Sequence, residues 1–160
     1  MYKVSLAIPI YNVSLFVERA LLSVLNQTYD NIEYLIVDDK GQDDSMDIVH
    51  RIIKDHPRGK DVRIIEHPYN IGLGATRNTA IDNAQGEYLF FMDSDDEIIP
   101  TCIEILVHKM QEHPVDFIAA SHMKKDLSGK TYPTYTYSPI LIQGDDLPVA
   151  QYRYAQDRKS

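Results

Sequence analysis

Cysteine is nearly absent. Cys102 is the single one, so no internal disulfide can staple the chain and no cysteine-rich zinc site can form. It has none of the flanking residues of a reactive nucleophile and reads as a small helix residue. Positive charge is in the minority, with 16 Lys and Arg against 24 Asp and Glu and a formal net charge of −8. Gripping nucleic acid or an anionic membrane needs clustered Lys and Arg, so those functions are disfavoured. Long apolar runs are missing: Tyr34–Val37 and Tyr88–Met92 are among the longest, far short of the about 18 residues of a membrane span. The opening Met1-Tyr-Lys-Val-Ser lacks a signal-peptide pattern. These absences predict a reduced, cytoplasmic domain, held at the inner face of a membrane only through regions outside this chain. No His-x-x-x-His ligand pair occurs among the six histidines, which read as solvated or structural.

What is present is ordinary globular material. Of 160 residues, 44% are hydrophobic and 25% charged, which suits one compact domain and argues against disorder. Two periodicities alternate along the first three-quarters. Val4–Ile10 reads as a buried strand. Val13, Phe16, Val17, Ala20, Leu21, Val24 and Leu25 then recur on one face of a helix, with Asn12 or Ser14 as its N-cap. Ile32–Val37 is a second strand, and Asp44 can open a helix that buries Ile48, Val49, Ile52 and Ile53 before Pro57 stops it. Val62–Ile65 is a third strand, followed by a helix after Gly74 that Gly86 closes as a C′ residue. Tyr88–Met92, apolar throughout, is expected to be a central strand covered on both faces. Pro100 suits the first turn of a helix burying Ile103, Leu106, Val107 and Met110, and Phe117–Ala120 reads as a fifth strand. Such alternation implies an α/β fold, a mainly parallel sheet with helices on both faces. Beyond about Ser121 tyrosines and prolines scatter without a period, and Ser160 arrives without a closing element. The expected division is a core over residues 1–122 and an incomplete, truncated region over 123–160.

In an open parallel sheet, ligands bind beyond the carboxyl ends of the strands. Three strands end informatively: in Pro9-Ile10-Tyr11-Asn12, in Asp38-Asp39, and in Asp93-Ser94-Asp95-Asp96. Carboxylates gathered from two strands would repel each other by about 4 kcal/mol per close pair at an effective dielectric near 20, and a cation would relieve that repulsion. Carboxylates without His or Cys suit Mg²⁺ or Mn²⁺, which take one or two protein carboxylates and fill the remaining positions with water and phosphate oxygens. The competing account is that Asp93–Asp96 caps the following helix, which explains one Asp but not three in four positions. Asn70-Ile-Gly72-Leu-Gly74-Ala-Thr-Arg77-Asn78 is the second constellation: glycines opening a helix offer N–H groups to an anion, with Arg77 in reach of a phosphate or base. An ordinary loop-to-helix junction with a solvated Arg77 is the alternative. A dinucleotide fingerprint is poorly supported, because the glycines do not follow the first strand.

From Val4 to about Met110 the sequence resembles the family 2 (GT-A fold) nucleotide-sugar-dependent glycosyltransferases, mostly bacterial. The likeness is carried by Ile8-Pro9-Ile10-Tyr11-Asn12, Ser23 to Tyr29, Ile36-Val-Asp38-Asp39, Asp43-Asp44-Ser45, Asn70-x-Gly72, Arg77-Asn78 and Phe91-Met-Asp93-Ser-Asp95-Asp96. The resemblance implies a Rossmann-like sheet and transfer of a sugar from a nucleotide-diphosphate-sugar, a UDP-sugar, to an acceptor hydroxyl with inversion. It implies that Pro9 and Tyr11 wall the base, that Asp39 hydrogen-bonds it, and that Asn70, Gly72 and Arg77 line the base and diphosphate side. Asp93 and Ser94 would face the ribose and sugar, Asp95 with Asp93 would hold Mn²⁺ or Mg²⁺, and Asp96 would be an adjunct. A carbohydrate or lipid-linked acceptor is the implied partner; a homo-oligomer is compatible with the reading, and nucleic acid is not a partner.

The sequence departs from the pattern at Lys40 and Thr76, where small residues are usual. A general base would deprotonate the acceptor hydroxyl, and it is expected beyond Ser160. Asp145 and Asp146 form the one carboxylate pair in the last stretch, and Asp146 before Leu147-Pro148 reads as a helix N-cap. Two other functions compete: a nucleotide-sugar binding module without catalysis, and a phosphoryl-transfer enzyme with Asp93 as nucleophile. The second would place its Asp-x-Asp after the first strand rather than the fourth.

Overall fold

The structure is a computed structural model, and it describes residues 1–126 and 128–135. The chain divides into two compact units, Met1–Val115 and the residues from Asp116 onward. In the first unit, β1 (Val4–Ile10), β2 (Ile32–Asp38), β3 (Val62–Glu66) and β4 (Tyr88–Phe91) form one sheet in the order β3-β2-β1-β4. Every pairing is parallel, with Val4 opposite both Ile32 and Tyr88, and Tyr34 opposite Val62. Four helices join the framework: α1 (Val17–Leu25), α2 (Ser45–Asp55), α3 (Leu73–Asn83) and α4 (Cys102–Glu112), and a 3₁₀ turn spans Pro57–Asp61.

Alternation along the strands sorts the core into two layers. Val4, Leu6, Ile8 and Ile10 of β1 and Ile32, Tyr34 and Ile36 of β2 pack with Val17, Leu21, Val24 and Leu25 of α1, Val49 and Ile52 of α2, and Ile103 and Val107 of α4. Ala7, Leu35 and Val37 point to the opposite face and meet Ala80, Ala84 and Leu89 on the α3 side. A strand's side chains change face at each residue, so β1 and β2, covered on both faces, read as unbroken apolar runs. Helices on both sides of a parallel sheet are what the sequence pattern predicts.

Several local expectations are corrected. β4 borders β1 alone among the described residues, and Phe91 is 37% exposed, so its apolar composition does not make it central. Helix α1 begins after Phe16 without a side-chain cap; Asn12 instead has φ +50° and accepts a hydrogen bond from the Gln42 N–H at 2.7 Å. Gly86 does not close α3, which ends at Asn83. It lies where the chain passes the start of β1, and a Cβ there would stand 2.6 Å from the Lys3 carbonyl oxygen. Beside it Glu33, buried at the amino end of the sheet, accepts from Ser5 Oγ and from the Gln85 N–H. Phe117–Ala120 forms no strand, and Phe117 is 55% exposed. With no partner strand among the described residues to complete a ladder, apolar character alone does not make a strand.

The second unit, by itself, contains an antiparallel pair, β5 (His122–Lys125) and β6 (Thr131–Tyr135). At the tip joining them, Asp126 Oδ1 accepts from the Ser128 and Lys130 N–H groups, and Gly129 takes φ +86°. The compact units part at Val115, seven residues before the boundary expected from sequence. Among the described residues no helix is long and apolar enough to cross a membrane.

Candidate functional site

The topology singles out one place. The chain runs β1, β2, β3 in one direction across the sheet and then returns to lay β4 on the other side of β1. At such a reversal the connections after neighbouring strands diverge and leave a crevice at their carboxyl ends. Pro9 and Tyr11 close β1 there, and the Met92 N–H, donating to the Ala7 carbonyl at 3.0 Å, extends the ladder and delivers Asp93 just past the end of β4. Pro9 is half-buried and Tyr11 is exposed.

Asp93, Asp95 and Asp96 are exposed and Ser94 is buried. A turn in which the Asp96 N–H donates to the Asp93 carbonyl at 3.1 Å holds them. Helix α4 starts at Cys102 with Thr101 in the cap position and no side-chain cap, so this acidic turn is not a helix cap. Asp93 Oδ1 takes a hydrogen bond from the Arg77 guanidinium at 3.0 Å. Arg77 is thus paired rather than merely solvated. Asp95 makes no hydrogen bond or ion pair with the described residues.

Arg77 is aimed by the start of α3. Gly72 occupies the N-cap position at φ +90°, a conformation that costs a side-chain-bearing residue more than glycine. A Cβ on Gly72 or Gly74 would meet nothing within 4 Å, so both backbones face open space. Thr76, one of the two departures from the family pattern, is buried and donates its hydroxyl to the Gly72 carbonyl at 2.9 Å, bracing the first turn.

Asp39 anchors the same turn. Its Oδ1 accepts from the Ile71 N–H at 2.9 Å and lies 2.7 Å from His67 Nδ1, and its Oδ2 accepts from the Gly72 N–H at 2.9 Å and Asn70 Nδ2 at 3.0 Å. Burial on its own would raise the Asp39 pKa, but the His67 contact and the two backbone amides outweigh it and hold the carboxyl below its usual value. Asn70, Gly72 and Asp39 are therefore joined directly, while Arg77 and Asp93 form a second pair.

Asp38 and Asp39 do not meet Asp93 and Asp95 around one cation. Among the described residues no group of three or more His, Cys, Asp or Glu could hold a metal. The charge of Asp38 is met by Lys40, the other departure, whose Nζ lies 3.1 Å from Asp38 Oδ2 and 2.6 Å from Glu66 Oε2. Those two carboxylates, Glu66 first, raise the lysine pKa. Lys40 sits at φ +55°, where only glycine would escape the Cβ strain, and its ammonium bridges two strand ends. A recess of about 160 Å³ lies beside it, lined by Ile10, Asn12, Asp38, Gly41 and Met46 among others, and neither Tyr11 nor Asp93 is part of that lining.

Asp93 and Asp95 have the chemistry a hard dication takes: both carboxylates are exposed, Asp95 has no partner among the described residues, and such an ion would leave its remaining coordination positions to phosphate and water. His67 is the residue that sequence reasoning missed. Its only sequence signal is its place directly after a strand parallel to β2, which sets it beside the residue after β2. Asp145 and Asp146 lie outside the described residues.

Comparison with known proteins bears on this geometry. Residues 5–154 match the model of "Glycosyl transferase family 2". An uncharacterized glycosyltransferase of Haemophilus influenzae is 32% identical over 151 residues, covering 91% of this chain and 59% of that protein. The Escherichia coli UDP-Glc:alpha-D-GlcNAc-diphosphoundecaprenol beta-1,3-glucosyltransferase WfaP is 37% identical over 129 residues, covering 79% and 49%. Residues 1–349 of S. aureus TarS, solved in complex with UDP-GlcNAc, superpose with a TM-score of 0.65 at 28% identity, covering 71% of this chain and 32% of that one. The chain thus spans about half the length of the two curated relatives.

Proposed function

The chain belongs to glycosyl transferase family 2 and carries the family's GT-A fold, and from that premise we propose that it is the donor-binding core of an enzyme moving a sugar from a UDP-sugar to an acceptor hydroxyl with inversion. The observation that carries the reading is the pairing of Arg77 with Asp93 at the point where the strand order of the parallel sheet reverses. It puts a cation in contact with the acidic turn, and a diphosphate needs both a counter-charge and a route to a metal. Asp95 and Asp93 would hold Mn²⁺ or Mg²⁺, which when bound neutralises charge developing on the departing diphosphate.

The chain's own residues do the rest. Pro9 and Tyr11 offer a wall to the base. Asp39 meets the base edge when the Asn70 amide, the exposed side-chain donor on its Oδ2, gives way. Gly72 lets the backbone approach the diphosphate, and Arg77 exchanges Asp93 for a phosphate oxygen. Ser94, buried beside Asp93, shapes the sugar side. None of the described carboxylates is assigned as the base. A carbohydrate or lipid-linked acceptor follows from the family reading, supported by the diphosphoundecaprenol substrate in the name of the Escherichia coli relative. We place the domain in the cytoplasm, where nucleotide-sugars are made.

The test is equilibrium dialysis of the chain with radiolabelled UDP-glucose and Mn²⁺. Retention that unlabelled UDP displaces and NAD does not is the expected result. No retention overturns the reading. Retention of intact donor with no UDP release in the presence of acceptor would instead identify a binding module.

A further inference from the structure

Of the six histidines, His67 alone is buried. It follows β3 directly, and its N–H donates to the Asp38 carbonyl at 2.9 Å, carrying the ladder one step past the strand. Nδ1 lies 2.7 Å from Asp39 Oδ1 and Nε2 lies 2.8 Å from Thr79 Oγ1 on α3. An ionised carboxylate only accepts, so Nδ1 carries the hydrogen. Nε2 then accepts from the threonine hydroxyl when the ring is neutral and donates to it when the ring is charged, so the bridge survives either state.

Side chains this enclosed, 7% exposed for His67 and 3% for Asp39, leave little room for water to replace the imidazole. Without its Nδ1–H, Asp39 Oδ1 would keep only the Ile71 amide. The carboxylate would gain freedom to rotate, and with it the 70–72 turn at the head of α3, the helix that aims Arg77 at Asp93. A ligand would then have to order that turn at the expense of its own affinity.

We propose that His67 is a positioning residue of the donor pocket: its Nδ1–H fixes Asp39, and through Asp39 the 70–72 turn and the start of α3. The inference rests on the donor-binding reading above, and His67 touches no ligand itself. It places a functional residue outside the acidic turn, at the far side of β1.

The test compares wild type, His67→Asn, His67→Gln and Thr79→Val by calorimetric titration with UDP in Mn²⁺, alongside their thermal unfolding midpoints. Asparagine sets its amide nitrogen near the position of Nδ1 and glutamine near that of Nε2. Both variants lose one of the two ring contacts, so similar drops in midpoint are expected. Affinities should nevertheless separate: His67→Asn and Thr79→Val within about threefold of wild type, and His67→Gln weaker by about tenfold, as for loss of one hydrogen bond to a charged group. Equal weakening of the two His67 variants would make the histidine merely structural and overturn the proposal. If His67→Gln fails to fold, ring nitrogen spectra of the wild type decide: a proton on Nδ1 and a ring signal that moves when UDP and Mg²⁺ are added support positioning, and a proton on Nε2 alone or a static signal overturns it. Wild type that binds no UDP refutes the donor-binding reading instead.

Discussion

Asp39 concentrates the residue-scale chemistry. Four protein donors converge on its carboxylate, and the net effect is a carboxyl held low despite burial. A group depressed in the folded state contributes stability that is present above its unfolded pKa, about 3.9, and is lost as pH falls through the folded value. Asp39→Asn turns one acceptor oxygen into an NH₂ facing N–H donors and should cost about 1–3 kcal/mol near neutral pH. Urea denaturation should show the gap from wild type narrowing below about pH 4, where protonation removes the wild-type advantage; a gap unchanged down to acid pH contradicts the assignment. Arg77 behaves differently. Its ion pair with Asp93 is 42% and 51% exposed, so Arg77→Ala should change stability by less than about 1 kcal/mol. UDP affinity in Mn²⁺, measured by titration, should fall about tenfold with loss of the cation. At this scale sequence reading reached the residues at strand ends, since their meaning follows from position along the chain. His67 and the bridging of Asp38 and Glu66 by Lys40 depend on which strands lie side by side, which no local pattern records.

At the scale of elements, β1 and β2 were legible because burial on both faces demands continuous apolar runs, and α1 because its buried stripe repeats at helical spacing. Apolar content misled at β4, since a strand bordering one neighbour can be as apolar as a central one. It misled again at Phe117–Ala120, where no strand among the described residues completes the pairing. Asp44 does stand at the N-cap of α2, but residue type alone does not make a cap: Asn12 and Gly86 are residues of cap type, yet the first holds the Gln42 amide and the second makes room for the backbone of β1. Gly86→Ala tests the last point. Its new Cβ would press on the Lys3 carbonyl at 2.6 Å and the Ser5 nitrogen at 2.7 Å, and the expected destabilisation is about 1–3 kcal/mol. A denaturation midpoint equal to wild type would mean that the junction of β1 and β4 yields more readily than its geometry suggests.

For the whole molecule, strand order matters more than any one residue. Reversal of the strand order beside β1 brings the ends of β1 and β4 to one crevice and leaves the β2–β3 side to brace it through Asp39 and His67. The acidic turn therefore stands apart from the carboxylates of β2, and a metal held there has two protein ligands at most among the residues expected to bind it. The most direct measurement is thermal unfolding of wild type and Asp95→Asn with UDP, in Mn²⁺ and in chelator. A ligand at a hundred times its dissociation constant stabilises the fold by about 2.7 kcal/mol. The account predicts that stabilisation for wild type in Mn²⁺ only, and its loss in Asp95→Asn. Equal stabilisation by UDP in chelator, or an unchanged response in the variant, would contradict it.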